Sequence, residues 1–197
     1  MTRISKIDPE HWDPALKEMT RPDTATPLEQ GLMRMFAHCP GLAKGVAAFG
    51  GSLKMHRTLP DRLVELVRLR VAFHNQCRSC MAIRYTDAVA AGVTEDLVCE
   101  LADPPAADNL TDAEQAAIAY ADLFANNHLA IDDAAYDGLK AHFSEAQVME
   151  LGMTVAFFVG FGRLAATLHM TEELPAAFQA ETEQPLSPWN EEAIVVR

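Results

Sequence analysis

Apolar residues recur at the three- and four-residue spacing of amphipathic helices along most of the chain, and two-residue alternation does not persist in any segment. Three Ser/Thr-x-x-Glu/Gln sequences, which begin at Thr26, Thr111 and Ser144, are typical of capping boxes and predict helix starts. Because helical spacing dominates and strand spacing is lacking, we predict an all-α protein.

The pattern predicts two helices on either side of residues 76–80. The first begins at Pro60–Asp61 and is apolar over a broad face, and the second covers residues 81–91. The first helix also carries Arg62, Arg68 and Arg70. We interpret these arginines as a solvated face that pairs with the many acidic residues.

Residues 153–170 are almost wholly apolar, but they include Arg163 and His169. A charge inside a segment that is barely long enough to span a bilayer argues against a membrane helix. We predict a helix that is buried in the core or in a subunit interface.

The chain divides by composition into three parts. We predict an irregular N-terminal arm at 1–23, a helical domain at 24–174 that contains a cysteine-bearing unit at 59–92, and an acidic, proline-containing tail at 175–197. In the tail, Trp189 is a candidate anchor on a neighbouring surface.

A weak internal repeat runs through the helical domain. TPLEQ at residues 26–30 resembles TDAEQ at 111–115, and both open a predicted helix. The repeat predicts two similar helical units packed on each other. The second unit has Phe161 and Leu164 where the first has cysteines, so only the first is expected to carry chemistry.

The composition limits the classes of partner. A formal charge of −12 argues against nucleic acid and against an anionic membrane surface, since both need a basic face. Four cysteines are too few for a secreted disulfide scaffold, and residues 1–10 have no apolar signal core. We therefore expect a cytoplasmic protein. Cys39 and Cys99 lie among apolar residues and are interpreted as core.

Cys77 and Cys80 form a C-x-x-C pair between the two helices. If Cys80 lies in the first turn of the second helix, the sulfurs come within bonding reach and backbone N–H groups favour a thiolate. This predicts a redox-active dithiol. Two alternatives remain open: inert buried cysteines, or metal ligands together with His74, three residues before Cys77.

Glu65 lies on the first helix, on the same side as Leu69 and Ala72. Such an apolar environment would raise the pKa of the carboxyl group toward a range useful for proton transfer. The alternatives are an exposed helix acid, or an ion pair with Arg62 or Arg68 one turn away.

The stretch from 60 to 92 resembles the carboxymuconolactone decarboxylase family, in particular its AhpD-like alkylhydroperoxidase branch. The family motif has a Glu, C-x-x-C a dozen residues later, a His four residues on, and a helix that ends in Gly. Glu65, Cys77, Cys80 and the AGV at 91–93 match it. The resemblance is weaker along the rest of the chain.

Two positions depart from the family motif. Arg84 stands where the His is expected, and Ser79 stands where the best-known peroxidase members carry another His between the cysteines. Arginine can stabilise a thiolate by its charge, but it cannot carry protons because it does not deprotonate. His74 is a candidate substitute base.

The resemblance implies roles for the site residues. Cys80 takes up the peroxide oxygen as a sulfenic acid, and Cys77 resolves it to a disulfide and acts as the nearby proton donor. Glu65 begins a proton relay through a His. Where the chain departs from the family motif, the residues themselves lead us to expect that Arg84 activates the sulfur by its charge. His74 is either a substitute base or a packed, hydrogen-bonded residue.

The resemblance also implies an AhpD-like helical fold and a homo-oligomer, a trimer or hexamer. The expected partners are a small peroxide or other oxidant and a thiol reductant, with no cofactor and no metal. Two alternatives to this peroxiredoxin-type activity are a cofactor-free decarboxylase-like lyase and a helical oligomer with a Cys/His metal site. The paired cysteines point away from decarboxylation, because decarboxylase members of the family generally lack them.

Overall fold

The computed structural model describes residues 2–180, 185–187 and 193–197 of the chain. These residues are mainly helical and contain one two-stranded sheet, so the all-α prediction is confirmed apart from two short strands. The strands are β1 (Ile83–Tyr85) and β2 (Ile194–Val196). The helices are α1 (Pro14–Thr20), α2 (Pro27–Gln30), α3 (Met33–Phe36), α4 (Pro40–Met55), α5 (Asp61–Asn75), α6 (Arg78–Ala82), α7 (Thr86–Ala90), α8 (Glu95–Glu100), α9 (Asp112–Asn126), α10 (Asp133–Lys140), α11 (Glu145–Leu168) and α12 (Ala176–Gln179).

The three predicted capping boxes are all present. At the starts of α2, α9 and α11, the side chains of Thr26, Thr111 and Ser144 accept hydrogen bonds from the backbone N–H three residues on. The Glu or Gln at that position accepts the N–H of the cap in return. Each box satisfies two backbone donors that a helix end otherwise leaves unpaired.

Helix α5 lies at the centre of the domain and packs on both α9 and α11. Ten of its fifteen residues are buried. Each fully buried Leu or Val contributes about 1.5–3 kcal/mol, so this helix is a main source of the domain's stability. Since α5 contacts neighbours on several sides, it holds whatever follows its C-terminal end in a fixed place.

The solvated-face interpretation of the α5 arginines is only partly right. Arg62 pairs with Glu114 and Arg70 with Asp122, both on α9, as expected for ion pairs with the acids. Arg68 instead is only 3% exposed, so its assignment to a solvated face is wrong.

The single helix predicted over 81–91 is also wrong. Helix α6 ends at Ala82, the strand β1 follows, and α7 begins at Thr86. The helix is interrupted because β1 pairs in parallel with β2, which comes from the far end of the chain. Helical spacing in the sequence carries no information about that distant partner.

Both chain ends lie against the helical domain where they are described. In the arm, Trp12 and Leu16 pack with Ala43 of α4, and Lys6 binds Glu172 and Glu173. In the tail, α12 and β2 are the regular elements among the described residues. Trp189, the candidate anchor, lies outside the described residues.

Helix α11 is long and apolar enough to cross a membrane by length and composition alone, and it is the one such helix among the described residues. It packs on α5 and α9, and 33% of its most apolar 18-residue stretch is buried. Met149, Met153 and Leu164 are exposed on its other face.

Candidate active site

Cys77 and Cys80 lie at the point where α5 passes into α6. Gln76 caps α5 in the left-handed conformation, with φ of 50°, and this reverses the chain. Cys77 is then the N-cap of α6, and Cys80 lies in its first turn, as the sequence predicts. The two sulfurs form a disulfide at 2.18 Å, across a Cα–Cα distance of 5.2 Å.

The two sulfurs differ in their access to solvent. Cys77 is 0% exposed, whereas Cys80 is partly exposed and lines a cavity. The Ser79 hydroxyl lies 3.6 Å from the Cys77 sulfur. A small molecule that enters the cavity therefore meets Cys80 and not Cys77.

The cavity beside Cys80 has a volume of about 510 Å³, within the range of small-molecule sites. Its wall is mainly apolar and combines residues from the N-terminal half, from α5 and α11 and from β2. The aromatic side chains in the wall are Trp12, Phe36, Tyr85, Phe157, Phe158 and Phe161. Such a lining favours an apolar ligand over a strongly hydrated one.

A buried ion pair lies next to the disulfide. The Arg68 Nε and Nη2 each donate to a different oxygen of the Glu65 carboxylate at 2.7 Å, and both side chains are under 5% exposed. Arg68 also donates to the carbonyl oxygens of Cys80 at 2.6 Å and Ile83 at 2.8 Å. The guanidinium group thus holds the backbone that carries Cys80.

The same pair is tied to β1 through Tyr85. The Tyr85 N–H donates to Glu65 at 3.3 Å, and the Arg68 guanidinium lies over the Tyr85 ring at 5.0 Å from its centroid. Burial alone would lower the pKa of Arg68, but the Glu65 carboxylate outweighs it and raises the pKa. Of the alternatives for Glu65, the structure shows the ion pair with Arg68.

Arg84 is buried, at 2% exposed, and its hydrogen bonds go to a carboxylate and to backbone carbonyls. Its Nε and Nη2 bind the Glu95 carboxylate at 2.9 and 3.0 Å, and its Nη1 donates to the carbonyls of Met81 and Ile83. The structure therefore places Arg84 as a support for the backbone between α6 and α7.

His74 lies on the side of α5 that faces α9. Its Nε2 is 2.6 Å from Asp122, which also binds Arg70. His74 does not line the cavity that contains Cys80. Among the described residues, no group of three or more His, Cys, Asp or Glu side chains is arranged to hold a metal ion.

The other two cysteines lie outside this site. Cys39 is exposed, so its assignment to the core is wrong. Cys99 is partly buried and packs against the main core.

A second, smaller cavity of about 270 Å³ adjoins the first. Six residues line both cavities: Gly50, Arg68, Tyr85, Phe157, Phe158 and Arg197. Glu65 lines only the second cavity, and Cys80 lines only the first.

Sequence reasoning did not place Arg68, Tyr85 or Val196 at this site. Arg68 was named only as one alternative partner of Glu65, because it lies one turn after Glu65 on the same helix. The ring of Tyr85 and the side chain of Val196 had no comparable signal, because each reaches the cavity through the pairing of β1 with β2.

The family comparison agrees with this geometry. Residues 40–123 match the model of the carboxymuconolactone decarboxylase family, a segment that includes Glu65 and both cysteines. Through this segment the chain is similar to the carboxymuconolactone decarboxylase family. The resemblance stated from the sequence is thus confirmed.

The curated proteins that the chain resembles are themselves uncharacterized. Two proteins of Mycobacterium tuberculosis are each 35% identical over 97 residues, which is 48% of this chain and 34% of theirs. The chain thus spans about a third of the length of the curated relatives it matches.

Similarity to solved structures shows that the chain has an AhpD-like fold. One is the alkylhydroperoxidase AhpD core of an uncharacterized peroxidase-related protein from Ralstonia eutropha JMP134, with a TM-score of 0.73 and 17% identity, covering 90% of this chain and 94% of that one. Another is a protein of unknown function from Agrobacterium tumefaciens, named as a candidate antioxidant defence protein AhpD. Its TM-score is 0.60 at 19% identity, covering 69% of this chain and 93% of that one.

Proposed function

We propose that the chain is a thiol-disulfide oxidoreductase that reduces a peroxide with the Cys77–Cys80 pair. The observation that carries the proposal is the asymmetry of the disulfide, in which Cys80 lines a small-molecule cavity and Cys77 is sealed. An accessible sulfur next to a protected partner is the arrangement that peroxide-reducing thiols use.

The cycle begins with both cysteines reduced. The Cys80 thiolate attacks the peroxide, its sulfur takes one oxygen, and the O–O bond breaks. The other oxygen leaves with a proton as an alcohol or water, and Cys80 becomes a sulfenic acid. The Cys77 thiol is the nearest sulfur-borne proton donor in this arrangement.

The second step forms the disulfide. The Cys77 sulfur attacks the sulfenic sulfur of Cys80, and the sulfenic oxygen leaves as water. Two electrons have then passed from the dithiol to the peroxide. An external thiol reductant restores the dithiol by exchange with the disulfide.

Arg68 supports this chemistry through the backbone. It binds the carbonyls of Cys80 and Ile83 and so holds the cavity-facing sulfur in place. Because Glu65 neutralises its charge, the pair supplies position more than positive potential.

The test is to oxidise the reduced protein with hydrogen peroxide and follow thiol loss and peroxide consumption in the presence of dithiothreitol. We expect Cys80→Ser to lower turnover by a factor on the order of 100 or more, since it removes the nucleophile. Cys77→Ser retains a single oxidation, which dimedone traps as a sulfenic acid on Cys80. Cys39→Ser, at an exposed position, serves as the control and keeps wild-type turnover.

Two results would contradict the proposal. One is a reduced wild-type protein whose Cys77 and Cys80 stay as thiols in excess peroxide. The other is a Cys80→Ser variant that consumes peroxide as fast as the wild type.

A further inference from the structure

The far end of the chain forms part of the wall beside Cys80. Val196 is 6% exposed and lines the same cavity as Cys80 and Tyr85. Resting on the proposed function, we propose that Val196 is a specificity-determining residue that limits the size of the apolar group an oxidant can carry to Cys80.

The position of Val196 is fixed relative to the disulfide. Tyr85 of β1 is the register partner of Val196 in β2, and β1 follows α6 without a linker. The Thr86 hydroxyl also donates to the Val196 carbonyl at 2.9 Å. Strand pairing and this hydrogen bond therefore tie the wall to the short helix that carries Cys80.

Arg197, which follows Val196, binds the end of β2 to Glu29 in α2. The Arg197 guanidinium donates to both oxygens of Glu29, at 3.1 and 3.2 Å, and the Arg197 N–H donates to Glu29 at 3.1 Å. These bonds and the bond from the Thr26 N–H lower the pKa of Glu29 to about 2. The Glu29 carboxylate is therefore charged throughout the neutral range and can hold Arg197 there.

The strand itself provides a matched internal comparison. Successive side chains in a strand point to opposite sides. Val196 is buried against the cavity, whereas Val195 is 57% exposed. The two positions have the same side chain on the same strand, but only Val196 lines the cavity that contains Cys80.

The substrate class follows from the wall. The cavity of about 510 Å³ has six aromatic side chains in its lining, and this favours an organic hydroperoxide whose body is an aromatic or branched apolar group. Hydrogen peroxide is small enough that the wall does not hinder it. A change at Val196 should therefore alter the rate at which a bulky hydroperoxide oxidises Cys80 and leave the rate with hydrogen peroxide almost unchanged.

The experiment compares rates of disulfide formation in the reduced protein with cumene hydroperoxide and with hydrogen peroxide. We expect Val196→Phe to lower the ratio of the two rate constants by about tenfold, because the added ring fills the space of the bulky substrate. Val196→Ala should raise the ratio by about threefold, and Val195→Ala should leave it at the wild-type value. Equal ratios in all four proteins would overturn the proposal.

A second readout separates this inference from the proposed function. Reduced protein is treated with iodoacetamide or with the bulkier N-phenylmaleimide, and the modification of Cys80 is read by peptide mass spectrometry, with exposed Cys39 as internal reference. The ratio of bulky to small reagent at Cys80 should fall in Val196→Phe and rise in Val196→Ala. If the reagent ratio changes in this way but no variant reacts with peroxide, the size limit set by Val196 is supported and the proposed redox function is refuted. If peroxide oxidises Cys80 but neither the reagent ratio nor the ratio of peroxide rate constants changes, the redox function is supported and the role of Val196 is refuted.

Discussion

At the scale of single residues, the Glu65–Arg68 pair determines where Cys80 lies. Arg68 donates at once to the buried Glu65 carboxylate and to two partly buried backbone carbonyls. Those carbonyls belong to residues next to the break between α6 and β1, where a continuous helix would have bonded them internally. The pair thus replaces the helical hydrogen bonds that the strand removes.

Replacing Arg68 by Met tests this role. The variant leaves the Glu65 carboxylate buried without its partner, so we expect a loss of about 3–5 kcal/mol in the free energy of unfolding. Urea denaturation at pH 7 measures it.

The double variant Glu65→Gln/Arg68→Met is the control for buried charge. It removes both charges together and should be clearly more stable than Arg68→Met alone. A double variant as unstable as the single one would show that the backbone contacts of Arg68, and not its charge pair, dominate.

At this scale the sequence predicts which cysteines lie together but not which side chains support them. The C-x-x-C spacing predicted the proximity of Cys77 and Cys80, because residues three apart at a helix start bring their side chains together. Arg84 was expected near the sulfurs because it occupies the family's His position, yet its long side chain reaches Glu95. The direction of a flexible side chain depends on its three-dimensional neighbours and is not contained in its position along the chain.

At the scale of elements, the crossing of α5 and α11 brings the Asn75 side chain against the backbone of α11 beside the site. A Cβ added at Gly162 of α11 would lie 2.5 Å from the Asn75 Nδ2 at the end of α5. Asn75 donates to the Phe158 carbonyl at 2.9 Å and accepts a hydrogen bond from Arg163 at 3.1 Å. The hydrogen bonds of Asn75, in the last turn of α5, therefore require glycine at position 162 of α11.

Gly162→Ala should lower the free energy of unfolding by about 1–3 kcal/mol, because the methyl group displaces Asn75 from its hydrogen bonds. Thermal and urea denaturation measure the change.

Gly160→Ala is the matched control on the same helix. Gly160 has nothing within 4 Å of an added Cβ, and alanine is the better helix former. We expect that variant to be unchanged or more stable by about 0.5–1 kcal/mol. Equal changes in the free energy of unfolding for Gly162→Ala and Gly160→Ala would contradict a close approach of Asn75 to Gly162.

Helix starts were predictable from the sequence because a capping box is local: Thr111 and Glu114 contact each other across a single turn. The strand at 83–85 was not predictable, since its partner β2 lies at the other end of the sequence. Residue spacing reports on neighbours within a few turns, so an element created by distant pairing leaves no periodic pattern.

At the scale of the whole molecule, an acidic chain is held together by a set of carboxylates with cationic partners. Burial alone would raise the pKa of Asp122, but hydrogen bonds from His74 and Arg70 outweigh it and lower the pKa. Lys6 and Arg34 likewise lower the pKa of Glu173 against the effect of burial. These contacts join elements that are far apart in sequence.

The pH dependence of stability follows from these lowered pKa values. A carboxylate whose pKa is lower in the folded state stabilises the fold above its unfolded pKa, and this contribution is lost as the pH falls through the folded pKa. For Glu29 the interval runs from 4.5 down to about 2. We expect the urea midpoint to be nearly constant from pH 7 to about 5 and to fall steadily below that.

Asp122→Asn provides the comparison for this pH series. The variant should be less stable than the wild type at pH 7, and the difference should narrow as the wild-type carboxylate becomes protonated at low pH. Asp137→Asn, at an exposed position on α10, should follow the wild-type curve. A constant difference between Asp122→Asn and the wild type at every pH would contradict this account.

The aromatic side chains of Tyr85, Phe157 and Phe158 line both of the adjoining cavities. Unlike Arg68, the two phenylalanines hold no ion pair, so a smaller residue at either position would enlarge the space between the chambers without removing a buried charge. The same scaffold could then acquire room for a longer molecule in a single mutational step, so proteins with this architecture can diverge in the compounds they accept without any change of fold.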